Sequence, residues 1–187
     1  MTRRFFAQPT LTVARGLLGQ RLVKREADGE VAGIVVETEA YIGRSDLACH
    51  ARAGRTRRTE VMFWPPGHAY VYLTYGIHWL LCVVTECEGF PAAVLVRALR
   101  PERGKDLMRA RRGTDKPLSD GPGKLTQALG IDGSWNGRDL CAVEAQLYFE
   151  KGPARSNGFA SGPRIGLGRT PEPWLSLRWN FCLSVKT

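Results

Sequence analysis

Hydrophobic residues recur with a helical period in three segments of the chain. The first is PTLTVARGLL at residues 9–18, whose apolar residues share one helical face. The second, at residues 101–113, is short and basic, and Pro101 suits the first position of a helix. In the third, apolar residues are helically spaced behind a Gly-Pro-Gly turn, and Gly130 is placed to end the helix. We therefore predict three short helices.

Apolar or alternating runs that are typical of β-strands occupy most of the remaining chain. A turn signal at Asp28-Gly29 joins the first two runs, and Gly76 separates the next two. Because helices rarely separate the runs, the pattern favours an α+β fold with a largely antiparallel sheet. Residues 1–8 are expected to be a flexible N-terminal tail. The predicted strands cover 20–27, 30–41, 69–75, 77–85, 91–99, 145–149 and 164–168.

Composition restricts the class of protein. The 187 residues fit a single domain, 1–187, and the formal net charge of +9 favours a polyanionic partner such as nucleic acid. No run reaches the ~18 apolar residues of a membrane span, and the N-terminus does not resemble a signal peptide. The five cysteines are odd in number and irregularly spaced, which indicates reduced thiols in a cytoplasmic protein. A nucleic-acid partner would associate such a protein with the nucleoid if it is bacterial.

The second predicted strand ends in an unusual polar sequence, ETEAY. On a regular strand Glu37, Glu39 and Tyr41 lie on one face, while the opposite face is apolar. A carboxylate there suits general-base activation of water. The two carboxylates are expected about 7 Å apart, a separation between those of retaining and inverting glycosidases. Both would approach a sugar from the same side, however, which suits neither type of glycosidase. We therefore expect one catalytic carboxylate and one that supports it. A solvated strand end is the alternative.

Aromatic rings and arginines are concentrated just after this strand. Four of the five tyrosines lie between residues 41 and 75, and all three histidines lie between 50 and 78. Rings interleaved with arginine suit stacking on bases and binding of phosphates. Tyr70 and Tyr72 share one strand face and are also compatible with simple core packing. The arginines in this window are Arg44, Arg52, Arg55, Arg57 and Arg58.

The GPGK sequence at residues 121–124 is only partly similar to a phosphate-binding loop. The full G-x-x-x-x-G-K-[ST] spacing is absent, and Leu125 stands where Ser or Thr is required. A helix that begins here still suits one DNA phosphate, with Lys124 assisting.

Seven stretches spread over residues 9 to 185 carry a further signal: ARGLLGQRLV, GIVVETEAYIG, HARAGRTRRTEVMF, PPGHAYVYLTYGIHW, AAVLVRAL, GPGKLTQALGI and PRIGLG. Through these stretches the chain resembles the alkyladenine (3-methyladenine) DNA glycosylases. The stretches occur in family order, and ETEAY and YVY-x-x-YG are specific to that family. The resemblance implies a single α+β domain with a curved, largely antiparallel sheet flanked by short helices. It also implies a monofunctional enzyme that flips damaged purines out of DNA.

The same resemblance assigns roles residue by residue. Glu39 matches the general base, and Arg97 matches the arginine that helps to hold the attacking water. Tyr75 matches the residue that intercalates into the duplex. The implied base pocket consists of Tyr41, His50 and Tyr72, with Cys82 in its wall. Independently of the resemblance, the residues expected to contact DNA are Arg52, Arg55, Arg58, Ile77, His78 and Lys124.

Two positions depart from the family pattern. Cys82 stands where the family usually has an asparagine that obstructs the 2-amino group of guanine. We therefore expect weaker discrimination against guanine-type bases. The C-terminal sequence WLSLRWNFCLSVKT lacks the family's usual glycine and proline, and the water-holding carbonyl would fall near Leu177.

The expected partner is double-stranded DNA that contains damaged purines, bound by a monomer without membrane association. No metal or organic cofactor is expected, because water is the only co-substrate. Since no lysine is expected near Glu39, Schiff-base lyase chemistry is not expected either. The alternatives are a non-catalytic binder of damaged or bent DNA, and a hydrolase of free nucleosides or sugars, which the basic charge and the wedge at Tyr75 disfavour.

Overall fold

The computed structural model describes residues 1–27, 29–153 and 158–183, in which one curled antiparallel sheet dominates. The predicted α+β class with a largely antiparallel sheet is confirmed. The predicted turn residue Asp28 lies outside the described residues. The strands are β1 (Arg21–Glu26), β2 (Gly29–Ile42), β3 (Ala69–Thr74), β4 (His78–Val84), β5 (Ala92–Arg103), β6 (Leu147–Glu150), β7 (Phe159–Gly162) and β8 (Asn180–Leu183).

The long strand β2 organises the sheet. One edge of β2 pairs with β5 along most of its length. Its other edge pairs with β1 in the first half and with β8 at Glu37–Glu39. The strand order is β3-β4-β5-β2-β1-β6, with β7 beyond β8. The part of β2 that carries Glu37 and Glu39, called here the carboxylate end of β2, is therefore flanked by β5 on one side and by β8 on the other.

In the described part of the chain, four short α-helices accompany the sheet. Pro122 stands in the first turn of the helix that follows the Gly-Pro-Gly turn, and Gly130 ends that helix in the left-handed region at φ 64°, as predicted. Among the described helices none is long and apolar enough to cross a membrane. The helices are α1 (Arg3–Phe6), α2 (Thr10–Leu17), α3 (Lys105–Arg112) and α4 (Pro122–Leu129).

Two hydrophobic clusters of described residues form the interior. The larger one lies between the sheet and the helices and includes Leu17, Val35 and Leu125. The smaller one lies under the loop after β2 and contains Cys49, Met62, Tyr70, Cys82 and Leu95, with Tyr41 and Tyr72 packed against it. The second cluster forms the base of the pocket described below.

The expectation of a flexible tail at residues 1–8 is wrong. Phe6 is fully buried in the larger cluster, and the Met1 amino group donates to the Phe149 carbonyl. Arg3 pairs with Asp139 at 2.5 Å. The two consecutive phenylalanines supply apolar area whose burial offsets the entropy of ordering this segment.

Two predicted elements also differ from the structure. Pro101 does not begin a helix: β5 continues through it to Arg103, and Gly104 at φ 67° turns the chain into α3. Residues 164–168 (RIGLG) do not form a strand. Gly166 and Gly168 have φ of 78° and 59°, which breaks an extended backbone.

Candidate active site

A cavity of about 690 Å³ opens beside the carboxylate end of β2. Its walls come from the loop after β2, from β3, β4 and β5, from the N-terminal end of α4, and from residues 165–170. Nine of the predicted site residues line it: Tyr41, His50, Arg52, Tyr72, Tyr75, His78, Cys82, Arg97 and Lys124.

Glu39 is fully buried directly behind this pocket. Its Oε2 accepts from the Tyr41 hydroxyl at 2.8 Å and from Arg97 Nη1 at 3.3 Å. Its Oε1 accepts from the backbone N–H of Ile165 at 2.7 Å and from Asn180 Nδ2 at 3.1 Å. A carboxylate offers about four acceptor positions, so these four donors fix its orientation fully.

Glu37 shares two of these donors. Its Oε1 accepts from Arg97 Nε at 3.0 Å and from Asn180 Nδ2 at 2.7 Å. β5 supplies the arginine from one edge of β2, and β8 supplies the asparagine opposite Glu39 from the other. The expected pair of one working and one supporting carboxylate thus lies in a single hydrogen-bonded cluster.

Aromatic rings surround the pocket. The His50 ring lies 4.6 Å from the Tyr72 ring, nearly perpendicular to it, and Tyr72 stacks on Tyr70 at 5.2 Å. His50 Nδ1 is 3.0 Å from the Tyr70 hydroxyl. His50 begins a short 3₁₀ helix, His50–Ala53, and its backbone N–H has no acceptor among the described residues. That N–H is therefore available to a group in the pocket.

Burial determines the ionisation of these rings. Burial, together with the charges of Arg58 and Arg52, lowers the pKa of His50 from 6.5 to about 4. Burial, together with the Glu39 charge, raises the pKa of Tyr41. Burial is also the main cause of the raised pKa of Tyr72. At neutral pH the pocket therefore presents an uncharged imidazole and two protonated phenols.

A buried ion pair supports Tyr41 from behind. Arg164 donates to both oxygens of Asp46 at 2.6 and 2.9 Å, and both side chains are fully buried. The guanidinium lies over the Tyr41 ring at 4.7 Å. Asp46 also accepts from the backbone N–H groups of Ile42 and Ala48. The pair therefore links the pocket wall to the loop that leads to His50.

The tip of the β3–β4 hairpin, residues 75–77, projects at the mouth of the pocket. Tyr75 and Gly76 have φ of 50° and 70°, and the Ile77 N–H donates to the Thr74 carbonyl at 3.2 Å, which defines a type I′ turn. Tyr75 is 86% exposed and Ile77 is 72% exposed. A tight turn that presents two apolar side chains to solvent is a suitable wedge for a base step.

The predicted DNA contacts divide into two groups. Arg52, His78 and Lys124 line the mouth of the pocket. Arg55 lies outside the lining and forms a two-pronged pair with Glu60 at 2.9 Å. Arg58 also lies outside it, with its guanidinium 5.4 Å above the Tyr72 ring.

The two departures from the family pattern occupy different places. Cys82 is buried in the pocket wall, where burial raises the pKa of its thiol. Leu177 does not line the pocket, and its carbonyl accepts from the Trp179 N–H at 2.8 Å. The contacts to Glu39 from this part of the chain come instead from Ile165 and Asn180.

Several site residues were not predicted from the sequence. Asn180, Ile165, Arg164 and Asp46 reach the site through contacts that span more than a hundred residues of chain. An isolated asparagine or aspartate gives no periodic signal. The one local indication is Asp46 itself, a single acid in a basic loop. Among the described residues, no group of three or more His, Cys, Asp or Glu is arranged to hold a metal ion.

Comparison with known proteins places the chain in the class of DNA glycosylases, which act in DNA repair. The family model for methylpurine-DNA glycosylase (MPG) matches residues 4–186, and the chain belongs to this family.

Similar proteins support this placement. A Methanocella arvoryzae protein named "Putative 3-methyladenine DNA glycosylase" is 48% identical over 181 residues, covering 93% of this chain and 90% of its own. Proteins of the same name from Methanoculleus marisnigri and Prosthecochloris aestuarii are 57% and 47% identical. Their alignments cover 90% and 91% of this chain and 88% and 83% of the relatives.

Proposed function

We propose that this protein excises alkylated or deaminated purines from duplex DNA, namely 3-methyladenine, 7-methylguanine, hypoxanthine and ethenoadenine. It acts as a monomer and hydrolyses the N-glycosidic bond with an activated water. The observation that carries the proposal is the buried Glu39 carboxylate directly behind an aromatic pocket. The names of the relatives, which specify 3-methyladenine, support the substrate class.

The depth of the pocket supports base flipping. A purine inside the duplex cannot reach a carboxylate that is itself fully buried, so the nucleotide must leave the stack. The rings of Tyr41, His50 and Tyr72 then provide surfaces on which the extruded base stacks. Tyr75, at the exposed hairpin tip, fills the space left in the helix.

Water activation follows from the contacts of Glu39. Among its four contacts the one to Arg97, at 3.3 Å, is the longest. We place the attacking water between Arg97 and Oε2, where Glu39 removes its proton while the oxygen attacks C1′. The C1′–N bond breaks with its electron pair going to the base. The negative charge of Glu39 stabilises the oxocarbenium-like sugar in the transition state.

The charge of the lesion decides what help the leaving base requires. A cationic alkylpurine departs as a neutral molecule and needs no acid. A neutral lesion such as hypoxanthine requires a proton or a strong hydrogen bond. The His50 backbone N–H, which the family resemblance directs at the purine N7, supplies such a bond. His50 itself, with a pKa of about 4, is not the acid at neutral pH.

Hydrolysis by water is favoured over amine chemistry. Lys124 is the only lysine that lines the described pocket, and it pairs at the mouth with Asp120 at 2.9 Å. A Schiff base at C1′ requires an amine at the reacting carbon. We therefore propose a monofunctional glycosylase without a lyase step.

The test uses a duplex oligonucleotide that carries one hypoxanthine or ethenoadenine. The wild-type protein should release the free base and leave a site that breaks only after alkali. Binding without release would favour the non-catalytic damaged-DNA binder, and strand breakage without alkali would refute the monofunctional assignment. Binding should weaken with salt, because phosphate contacts release counterions.

A further inference from the structure

We propose that Glu37 is a positioning residue for the glycosylase reaction, holding Arg97 and Asn180 in the arrangement that leaves Glu39 free to act. The proposal rests on the proposed function. Glu37 does not line the pocket. Its loss should therefore affect the rate of turnover and leave DNA binding unchanged.

Distances within the cluster support this role. Arg97 lies 3.0 Å from Glu37 and 3.3 Å from Glu39. Asn180 lies 2.7 Å from Glu37 and 3.1 Å from Glu39. Both donors therefore make their shorter hydrogen bond to Glu37, and their contacts to Glu39 are the looser ones.

The backbone places these groups where one carboxylate can hold both donors. The β2–β5 register shifts on both sides of Glu37, between Val35 and Glu37 and between Glu37 and Thr38. Such irregularities re-aim side chains at functional sites. Here the irregularities flank Glu37, whose Oε1 accepts hydrogen bonds from Arg97 on β5 and from Asn180 on β8.

Removing Glu37 would change the partner of Arg97. A guanidinium pairs best with a carboxylate through two parallel hydrogen bonds. Without Glu37, Glu39 is the only carboxylate of the described residues left within hydrogen-bond distance of Arg97. Arg97 would then close on Oε2, the oxygen that we assign to the water. Turnover should fall, while the pocket walls and the hairpin tip remain intact.

Three variants separate positioning from simple structural support. Glu37→Ala removes the acceptor. Glu37→Gln keeps an acceptor oxygen for Arg97 and Asn180. Glu26→Ala is the matched control, because Glu26 has the same 17% side-chain exposure and also accepts from two side chains, but those donors, Lys24 and Arg111, are not the donors to Glu39.

The measurement is single-turnover excision from a hypoxanthine duplex, together with the dissociation constant for the same DNA. Glu37→Ala should lower the rate constant by about 10–100-fold with an unchanged dissociation constant, and Glu37→Gln should recover most of the rate. Glu26→Ala should excise at the wild-type rate.

Each other outcome overturns a defined part of the account. A wild-type rate in Glu37→Ala refutes the positioning role. Equal losses in Glu37→Ala and Glu26→Ala show that the effect is one of stability, and this also refutes it. If the wild-type protein itself releases no base, the proposed function fails, which is a distinct result.

Discussion

The buried pair between Asp46 and Arg164 gives the sharpest stability prediction. Asp46→Asn keeps the shape of the side chain but removes the charge that neutralises a fully buried guanidinium. The amide oxygen of the variant can still accept one Arg164 N–H, and the carbonyls of Ala40 and Trp174 accept at 3.0 and 3.3 Å, but no negative charge remains beside the guanidinium. Removing one partner of a buried ion pair typically costs about 3–5 kcal/mol, because the other charge remains uncompensated.

The loss should be large in a thermal melt. For a domain of 150–250 residues each kcal/mol lowers Tm by about 2–4 °C, so Asp46→Asn should lower it by about 6–20 °C. Urea unfolding followed by circular dichroism measures the same loss as a free energy of unfolding.

The matched control is Asp120→Asn, which breaks the exposed pair with Lys124, whose side chains are 50% and 48% exposed. This change should cost less than about 1 kcal/mol. If Asp46→Asn loses no more than the control, the pair does not stabilise the wall behind Tyr41, and our account of that wall is wrong.

Three further predictions concern the pocket and its mouth. Tyr75→Ala should lower kcat/KM on a duplex lesion at least about tenfold, whereas Tyr75→Phe, which keeps the ring, should stay within about twofold of wild type; equal losses would remove the wedge role. Cys82→Asn should reduce activity on guanine lesions relative to adenine lesions, and an unchanged ratio would refute the discrimination hypothesis. The third prediction concerns His50, whose folded-state pKa of about 4 lies below its ordinary value of 6.5. Between pH 6.5 and pH 4 this histidine is therefore protonated in the unfolded chain but not in the folded chain. The free energy of unfolding is thus unaffected above pH 6.5 and falls as the pH decreases toward 4. Urea unfolding at about pH 7 and about pH 5 should show a smaller decrease for His50→Gln than for wild type, and equal decreases would contradict the buried, neutral imidazole.

Local sequence patterns predicted the framework well. The apolar runs of β2, β4 and β5 and the turn signals around α4 depend on neighbouring residues, so a single sequence reveals them. The position of Gly76 between two strands also predicted the hairpin that presents Tyr75. The same reasoning failed at residues 164–168, because two glycines with positive φ break the strand that their apolar neighbours suggest.

The candidate site was only partly predictable. Spacing placed Glu37 and Glu39 on one face and suggested that one supports the other, and in the structure both lie in one hydrogen-bonded cluster. The donors that complete the cluster, Ile165 and Asn180, arrive from the far end of the chain. Long-range strand pairing decides such contacts, and no periodicity in one sequence reports it.

The proposed reaction depends most on Glu39 as the general base, and one measurement tests this role most directly. Single-turnover excision from a hypoxanthine duplex should be about 10²–10⁴-fold slower for Glu39→Gln than for wild type, which is the usual contribution of a general base. The variant should still bind the same duplex, because the rings and the hairpin tip are unchanged. Base release by Glu39→Gln at the wild-type rate would contradict the mechanism.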